Sequence, residues 1–343
     1  MKIALVNTFI PFLRGGAEVL VDDLFHQLSL SGHQVTLFRV PFPNDYEIDL
    51  TELVIAMKLL DLTAYDRVIT FKFPGYCVCH PNRSLWLFHQ FRQVYDLYGK
   101  ENGFEANART DAIRSIVQTL DNQELREIKN CTVIGTEVRD RLKRFNGIDA
   151  EVICPPLPNA ESYYSSQASN YIYYPSRVTR LKRQHLAIEA MRYVQSGVRL
   201  ILTGRCGEPD YEDELNRLIS ENRLENRVQY QNLWLGEDEK LKLISESLGL
   251  LFIPFHEDYG YVTLEAYYAA KPLITCTDAG SPVGFVEEGK TGYIAQPTPQ
   301  DIAEKMDLLY LDRQKAAEMG RNARAEILRR NITWDETVRK LLL

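Results

Sequence analysis

Twice along the chain, short apolar runs alternate with longer amphipathic ones, and no other feature restricts the fold as tightly. In the first half, Lys2 to Val6 reads as a buried strand, followed by a loop carrying Gly15-Gly16. A helical stripe of Leu20, Leu24 and Leu28 comes next, with Val21 and Phe25 beside it, and Gly32 fits the residue just past that helix. His33 to Phe38, Arg67 to Phe71, Ser84 to Phe88 and Cys131 to Gly135 read as further strands. The second half repeats the pattern more regularly. Tyr171 to Pro175 is a strand and His185 to Tyr193 a helix. RLILTG, RVQYQN, GLLFIP and PLITC follow as strands, separated by the helices DYEDELNRLISEN, EDEKLKLISES and VTLEAYYAA. Such alternation predicts parallel sheets with helices on both faces, one doubly wound sheet per half, and two such domains leave a cleft. In open α/β sheets, ligands sit at the carboxyl ends of the strands.

Between the halves, PPLPNAESYYSSQASN (Pro155 to Asn170) shows no period and reads as a linker. The predicted domains are therefore 1–160 and 171–325. A chain of 343 residues, 45% apolar and 25% charged, is long enough for two cores. The net charge of −7 argues against a nucleic-acid binder that relies on bulk charge, while leaving room for a local basic pocket. The opening MKIALVNTFIPFLRGG does not read as a secretory signal, because Arg14 follows its short apolar run and no small-residue cleavage site appears. No segment approaches the roughly 18 apolar residues of a membrane span. The six cysteines are scattered, which predicts a reduced, cytoplasmic protein. Cys77-Val-Cys79-His80 is spaced too tightly for a usual zinc knuckle, and no second pair answers it.

Three clusters fall at predicted strand ends. The first is HEDYGYVTLEAYYAAKP, His256 to Pro272. Tyr259-Gly260-Tyr261 precedes a helix from about Val262, where leading amides and the dipole favour an anion. Glu265, one turn in, points back to the helix start and suits a ribose diol. Glu257, at the strand tip, suits the hydroxyls of a sugar. The same letters also describe a capped surface helix with two solvated glutamates. The second cluster is SRVTRLKRQ, where Arg177, Arg180, Lys182 and Arg183 gather after a strand. Forked guanidinium and point-charge ammonium groups together suit a diphosphate, although a solvated basic loop reads alike. The third is Gly15-Gly16-Ala17-Glu18, a glycine loop opening a helix. The spacing G-x-G-x-x-G is absent, which counts against a dinucleotide oxidoreductase. His89 ends a strand and belongs at the cleft mouth or in the core. Arg92 and Tyr95 either reach an acceptor or pack beneath it.

Taken together, these residues resemble glycosyltransferase family four. The E-x7-E pattern runs from Glu257 to Glu265, and the Arg-x4-Lys pair is Arg177 and Lys182. LTGRCGEP around Gly204, EAYYAAKPLITCTDAGSP and EEGKTGYIAQP match in the second half. GGAE, His89 and GIDAEVICPPL fit in the first. Departures stand at Asp258 and Arg183, both usually glycine, at Ser281, usually a second glycine, and at Gly284, where glutamate is common. The resemblance implies the GT-B fold, two Rossmann-like doubly wound domains facing a central cleft. It also implies that 326–343 is a helix crossing back to the first domain.

The same resemblance implies a retaining, metal-independent hexosyltransferase without a cofactor. It would move a sugar from a nucleotide-diphosphate sugar, uridine- or guanosine-linked, to a carbohydrate, lipid-linked or small-molecule hydroxyl, as in polysaccharide biosynthesis. Arg177, Lys182 and the amides around Tyr261, Val262 and Thr263 would hold the diphosphate, with the Thr263 hydroxyl added, and Tyr259, Gly260 and Gly204 would belong to the donor pocket. Glu265 would take the ribose, Glu257 the sugar, the Gly16 amide the diphosphate from the other domain, and His89 the donor sugar or its oxocarbenium-like form. Phe12, Leu13 and Arg14 leave room for peripheral contact at the inner face of a membrane. Two other readings share the fold: a nucleotide-sugar-binding or scaffolding protein without catalysis, and a sugar-nucleotide epimerase.

Overall fold

The computed structural model describes residues 1–12, 15–42, 50–100 and 103–343. It divides into two units, Met1–Pro156 with Ile332–Leu343, and Leu157–Asn331. The first contains β1 (Lys2–Phe9), α1 (Gly16–Leu30), β2 (Gln34–Pro41), α2 (Leu50–Leu59), β3 (Arg67–Lys72), β4 (Arg83–His89), α3 (Ala108–Glu127), β5 (Asn130–Val133), α4 (Thr136–Asn146) and β6 (Glu151–Val152). Its strands form one parallel sheet in the order β2-β1-β3-β4-β5-β6. Ile3, Ala4, Leu5 and Val6 are all buried, on both faces, as expected for a strand covered by helices on each side. α1 buries Leu20, Val21, Leu24 and Leu28, each contributing roughly 1.5–3 kcal/mol, while Phe25 stays exposed on its flank. Just beyond it, Gly32 takes a φ of 82°, the left-handed turn that ends helices.

The second unit runs β7 (Tyr171–Pro175), α5 (Gln184–Ala190), β8 (Arg199–Thr203), α6 (Pro209–Glu221), β9 (Val228–Gln231), α7 (Glu237–Glu246), β10 (Gly249–Leu251), α8 (Tyr261–Tyr268), β11 (Leu273–Cys276), β12 (Gly292–Ala295), α9 (Pro299–Leu311) and α10 (Arg313–Arg329). Its sheet is also parallel, ordered β12-β11-β10-β7-β8-β9. The last helix, α11 (Trp334–Leu341), belongs with the first unit. There Trp334 meets Trp86 edge-on at 6.5 Å, and Arg67 donates to the Leu341 carbonyl at 3.1 Å.

The stretch read as a linker is not one throughout. From Leu157 onward it is part of the second unit. The Ser166 amide donates to the Ser245 carbonyl at 3.0 Å, and that of Ser169 to Glu246 at 2.7 Å. Backbone donors pinned in this way need no side-chain periodicity, so the sequence pattern is silent about them. Strand order reverses between β1 and β3 in the first unit, and between β7 and β10 in the second. The carboxyl ends of those strand pairs are where such sheets open a crevice.

Candidate functional site

Two loops leave the switch point of the second sheet, one after β7 and one after β10. Lys182, in the first loop, forms an ion pair with Glu257, in the second, and neither side chain is more than 23% exposed. Glu257 is held in place through its backbone. Its amide donates to the Ala279 carbonyl at 2.9 Å, and its carbonyl accepts the Ser281 amide at 3.0 Å. Gly260 then opens α8 with a φ of 88°, and a β-carbon there would lie 2.5 Å from the Phe252 ring. Only glycine meets both conditions. The Thr263 amide donates to the Gly260 carbonyl at 3.0 Å, and Tyr261 and Val262 stand at the helix's leading edge.

Thr263 Oγ1 and Glu265 Oε2, in the first turns of α8, are among the buried side-chain oxygens without a hydrogen-bond partner among the described residues, and the Tyr163 hydroxyl also lies against the Glu265 carboxylate. The other Glu265 oxygen accepts from Lys240 Nζ, on α7, at 2.5 Å. Lys240 has no motif spacing to announce it, and sequence reasoning missed it. Tyr259 is 4% exposed and packs its ring against Tyr261 and Phe285. Gly204, at the end of β8, has a φ of 153°, and a β-carbon there would lie 1.8 Å from the Ser176 carbonyl oxygen. Its glycine is demanded by the approach of two strand ends.

The four-cation cluster expected after β7 comes apart. Arg180 pairs with Glu214 at 2.7 Å and lies over the Tyr211 ring, and Arg183 forks onto Asp278 at 2.7 and 2.8 Å. Both are committed to structural carboxylates, so the diphosphate reading of Arg180 and Arg183 is withdrawn. Arg177 is exposed and has no ion-pair partner among the described residues.

In the first unit, Gly15 caps α1 and Gly16 is its first residue, with the Glu18 carboxylate accepting the Gly15 amide at 3.0 Å and Lys72 Nζ at 3.2 Å. A pocket lies at the carboxyl ends of β1, β3 and β4. Thr8, Phe9, Ile10, Phe42, Lys72, Phe73 and Phe91 line it together with His89, whose Nδ1 lies 2.8 Å from the Gln90 carbonyl. The acceptor reading of Arg92 and Tyr95 is corrected. Arg92 is nearly buried and bonded to Asp96 at 2.7 Å. Tyr95 is 3% exposed and donates to Asp121 at 2.7 Å, and burial, then the Asp121 charge, push its phenol well up. Tyr95 belongs to a buried polar network inside the unit, in which Asn146 also donates to its oxygen.

Cys77 is buried in a short turn and Cys79 is exposed, while His80 bonds the Tyr65 carbonyl and the Asn82 amide. Among the described residues no helix is long and apolar enough to cross a membrane. Phe12 is fully exposed. Leu13 and Arg14 lie outside the described residues.

A family model described as "Glycosyl transferases group 1" matches residues 160–326. The alpha-1,3/1,6-mannosyltransferase ALG2 of Dictyostelium discoideum is 32% identical over 125 residues, 36% of this chain but only 29% of that protein's length. Spore coat protein SA of Bacillus subtilis (strain 168) is 23% identical and aligns with 100% of this chain and 98% of its own. Among solved structures, Anabaena Alr3699/HepE, determined with UDP and glucose, superposes with a TM-score of 0.73 at 19% identity, covering 99% of this chain and 98% of that one. The two-sheet plan is that of the GT-B fold.

Proposed function

We propose that the chain, whose residues 160–326 match the glycosyl transferases group 1 model, is a retaining, metal-independent hexosyltransferase using a nucleotide-diphosphate-sugar donor. The observation that carries this reading is the pair of buried, unpartnered oxygens on α8, Thr263 Oγ1 and Glu265 Oε2, beside a strand-end Lys–Glu pair. Leaving such atoms unpaired costs about 1–3 kcal/mol each, a cost that a hydroxyl- and phosphate-rich ligand would offset.

In this reading Glu265, oriented by Lys240, takes the ribose diol on its open oxygen. Thr263, Arg177 and the Tyr261 and Val262 amides meet the diphosphate. Lys182 exchanges its carboxylate partner for a phosphate oxygen, and Glu257, released, takes the hydroxyls of the sugar. As the bond to the anomeric carbon breaks, negative charge grows on the departing phosphate. Preorganised cations and amides stabilise that charge more than they stabilise the bound donor. The acceptor side is the pocket of the first unit. Its phenylalanines offer a flat apolar wall to a sugar ring or an apolar aglycone, and His89 and Lys72 offer it polar contacts.

The test is a thermal-shift titration with UDP, GDP and their glucose, N-acetylglucosamine and mannose conjugates, followed by product analysis. UDP in the Anabaena protein supports trying uridine donors first. Stabilisation by RT ln(1 + [L]/Kd) with one nucleotide series, and transfer or hydrolysis of its sugar, is expected. Binding with no turnover across the panel would point to a non-catalytic protein, and an isomerised sugar nucleotide to an epimerase.

A further inference from the structure

Arg183 breaks two local rules. It is the N-cap of α5 with a φ of 56° and ψ of 41°, the left-handed region that side chains disfavour, and arginine cannot accept the hydrogen bonds that cap a helix. Its side chain shows what holds it there. All three guanidinium nitrogens are engaged: Nη1 and Nη2 fork onto Asp278 at 2.8 and 2.7 Å, Nε donates to the Ile253 carbonyl at 2.7 Å, and Nη2 to that of Pro254 at 2.6 Å. The guanidinium also lies 5.8 Å from the Phe255 ring centre.

These contacts join three loops at one edge of the sheet. The loop after β7 carries Lys182, the neighbour of Arg183. The loop after β10 runs from Ile253 and Pro254 to Glu257. The turn after β11 contains Asp278 and, two residues on, Gly280, which bridges to Glu257. Backbone bonds repeat the connection, from the Phe255 amide to Leu181 at 2.8 Å and from the His256 amide to Asp278 at 3.0 Å. We propose that Arg183 is a positioning residue: its fork onto Asp278 and the two strand-end carbonyls fixes the spacing between Lys182 and Glu257. Its catalytic consequence rests on the glycosyltransferase reading. Its geometric consequence does not.

A planar, five-donor fork is required, and neither lysine nor glycine supplies one. Misplacing reacting groups by about 1 Å costs on the order of a hundredfold in rate with little effect on ground-state binding. Arg183→Gly relieves the backbone and removes the fork, and Arg183→Lys keeps the charge alone. Hydrolysis of UDP-glucose, UDP-N-acetylglucosamine and GDP-mannose would be followed well below each variant's melting temperature. Both variants are expected to lose about ten- to a hundredfold in kcat with donor KM changed less than about threefold, and Asp278→Ala to do the same. Wild-type kcat in Arg183→Gly would overturn the proposal. A crystal structure of Arg183→Gly, or of Arg183→Lys if the former does not fold, gives a readout independent of turnover. A displaced Lys182–Glu257 pair supports the inference, and an unmoved pair sinks it even if the wild type hydrolyses none of these donors.

Discussion

At Thr263, a hydroxyl with no partner sits in a fully buried position. Valine has the same shape and no oxygen, so Thr263→Val removes a polar group that the ligand-free protein cannot satisfy. The variant should be more stable by about 1 kcal/mol in denaturant titration, because an orphaned buried polar atom is unfavourable. Its affinity for the nucleoside diphosphate should fall roughly 10- to 100-fold, the worth of a hydrogen bond to a charged group. A variant that is less stable, and binds as tightly as wild type, would contradict the role assigned to that oxygen. Lys182→Ala has the opposite character. The pair is only 14% and 23% exposed, so losing the cation leaves a largely buried carboxylate unpaired, and stability should fall by about 1–3 kcal/mol. Turnover should drop by two to three orders of magnitude, about 3 kcal/mol of barrier, in a donor-hydrolysis assay. Lys182 and Glu257 were legible because their chemistry and spacing are local motifs. Lys240 and Asp278 were not: their partners lie 25 and 95 residues away, and no periodicity encodes a pairing set by strand order.

Elements were easier to read than their surroundings. β1, α1 and the Gly32 stop follow from apolar period and turn chemistry, since burial on both faces and one-sided helix burial leave different sequence patterns. α3 shows where such patterns mislead. It carries Asp121 into the core, where Tyr76 and Tyr95 donate to its two oxygens, and the Tyr95 ring packs on Phe145. A tyrosine serving a buried carboxylate looks, in sequence, like one facing a ligand. Burial pushes the Asp121 carboxyl up to about 6, against the two tyrosine bonds that pull it down. A carboxyl whose pKa is higher in the fold than in the unfolded chain, about 3.9, holds its proton more tightly when folded. The stability it contributes is therefore complete on the acid side and lost as pH rises from about 4 to about 6. The loss should be on the order of 2–3 kcal/mol and flat above that window. In Asp121→Asn, overall stability should fall, because one tyrosine hydroxyl loses its acceptor, but this pH slope should vanish. Chemical denaturation of both proteins across pH 4 to 7 measures the difference directly. Parallel slopes would show that Asp121 does not titrate in that range.

On the scale of the whole molecule, the chain supplies its first unit from two distant segments, so that unit is closed only when its last helix docks. Leu341 is fully buried there, and its carbonyl accepts from Arg67 at 3.1 Å and from Asn130 at 3.3 Å. Lys340 pairs with Glu151 at 2.7 Å on the same face, but that exposed pair contributes little beside the leucine. Leu341→Ala should cost the first unit about 2–5 kcal/mol, from lost burial and the cavity left behind. For a domain of this size the loss lowers its melting temperature by roughly 5–15 °C. Leu341 belongs to the first unit, so the second unit's transition should stay in place. A nucleoside diphosphate should act in the reverse manner, raising only the transition of the unit that carries Thr263 and Glu265. Scanning calorimetry of wild type and Leu341→Ala, each with and without the nucleotide, separates these effects. The nucleotide-dependent rise should be the same in both proteins, because the sites of the two perturbations are additive when they share no partners. If the substitution instead abolished the ligand's shift, the nucleotide would have to depend on the first unit, and the assignment of its seat to the second unit alone would fail.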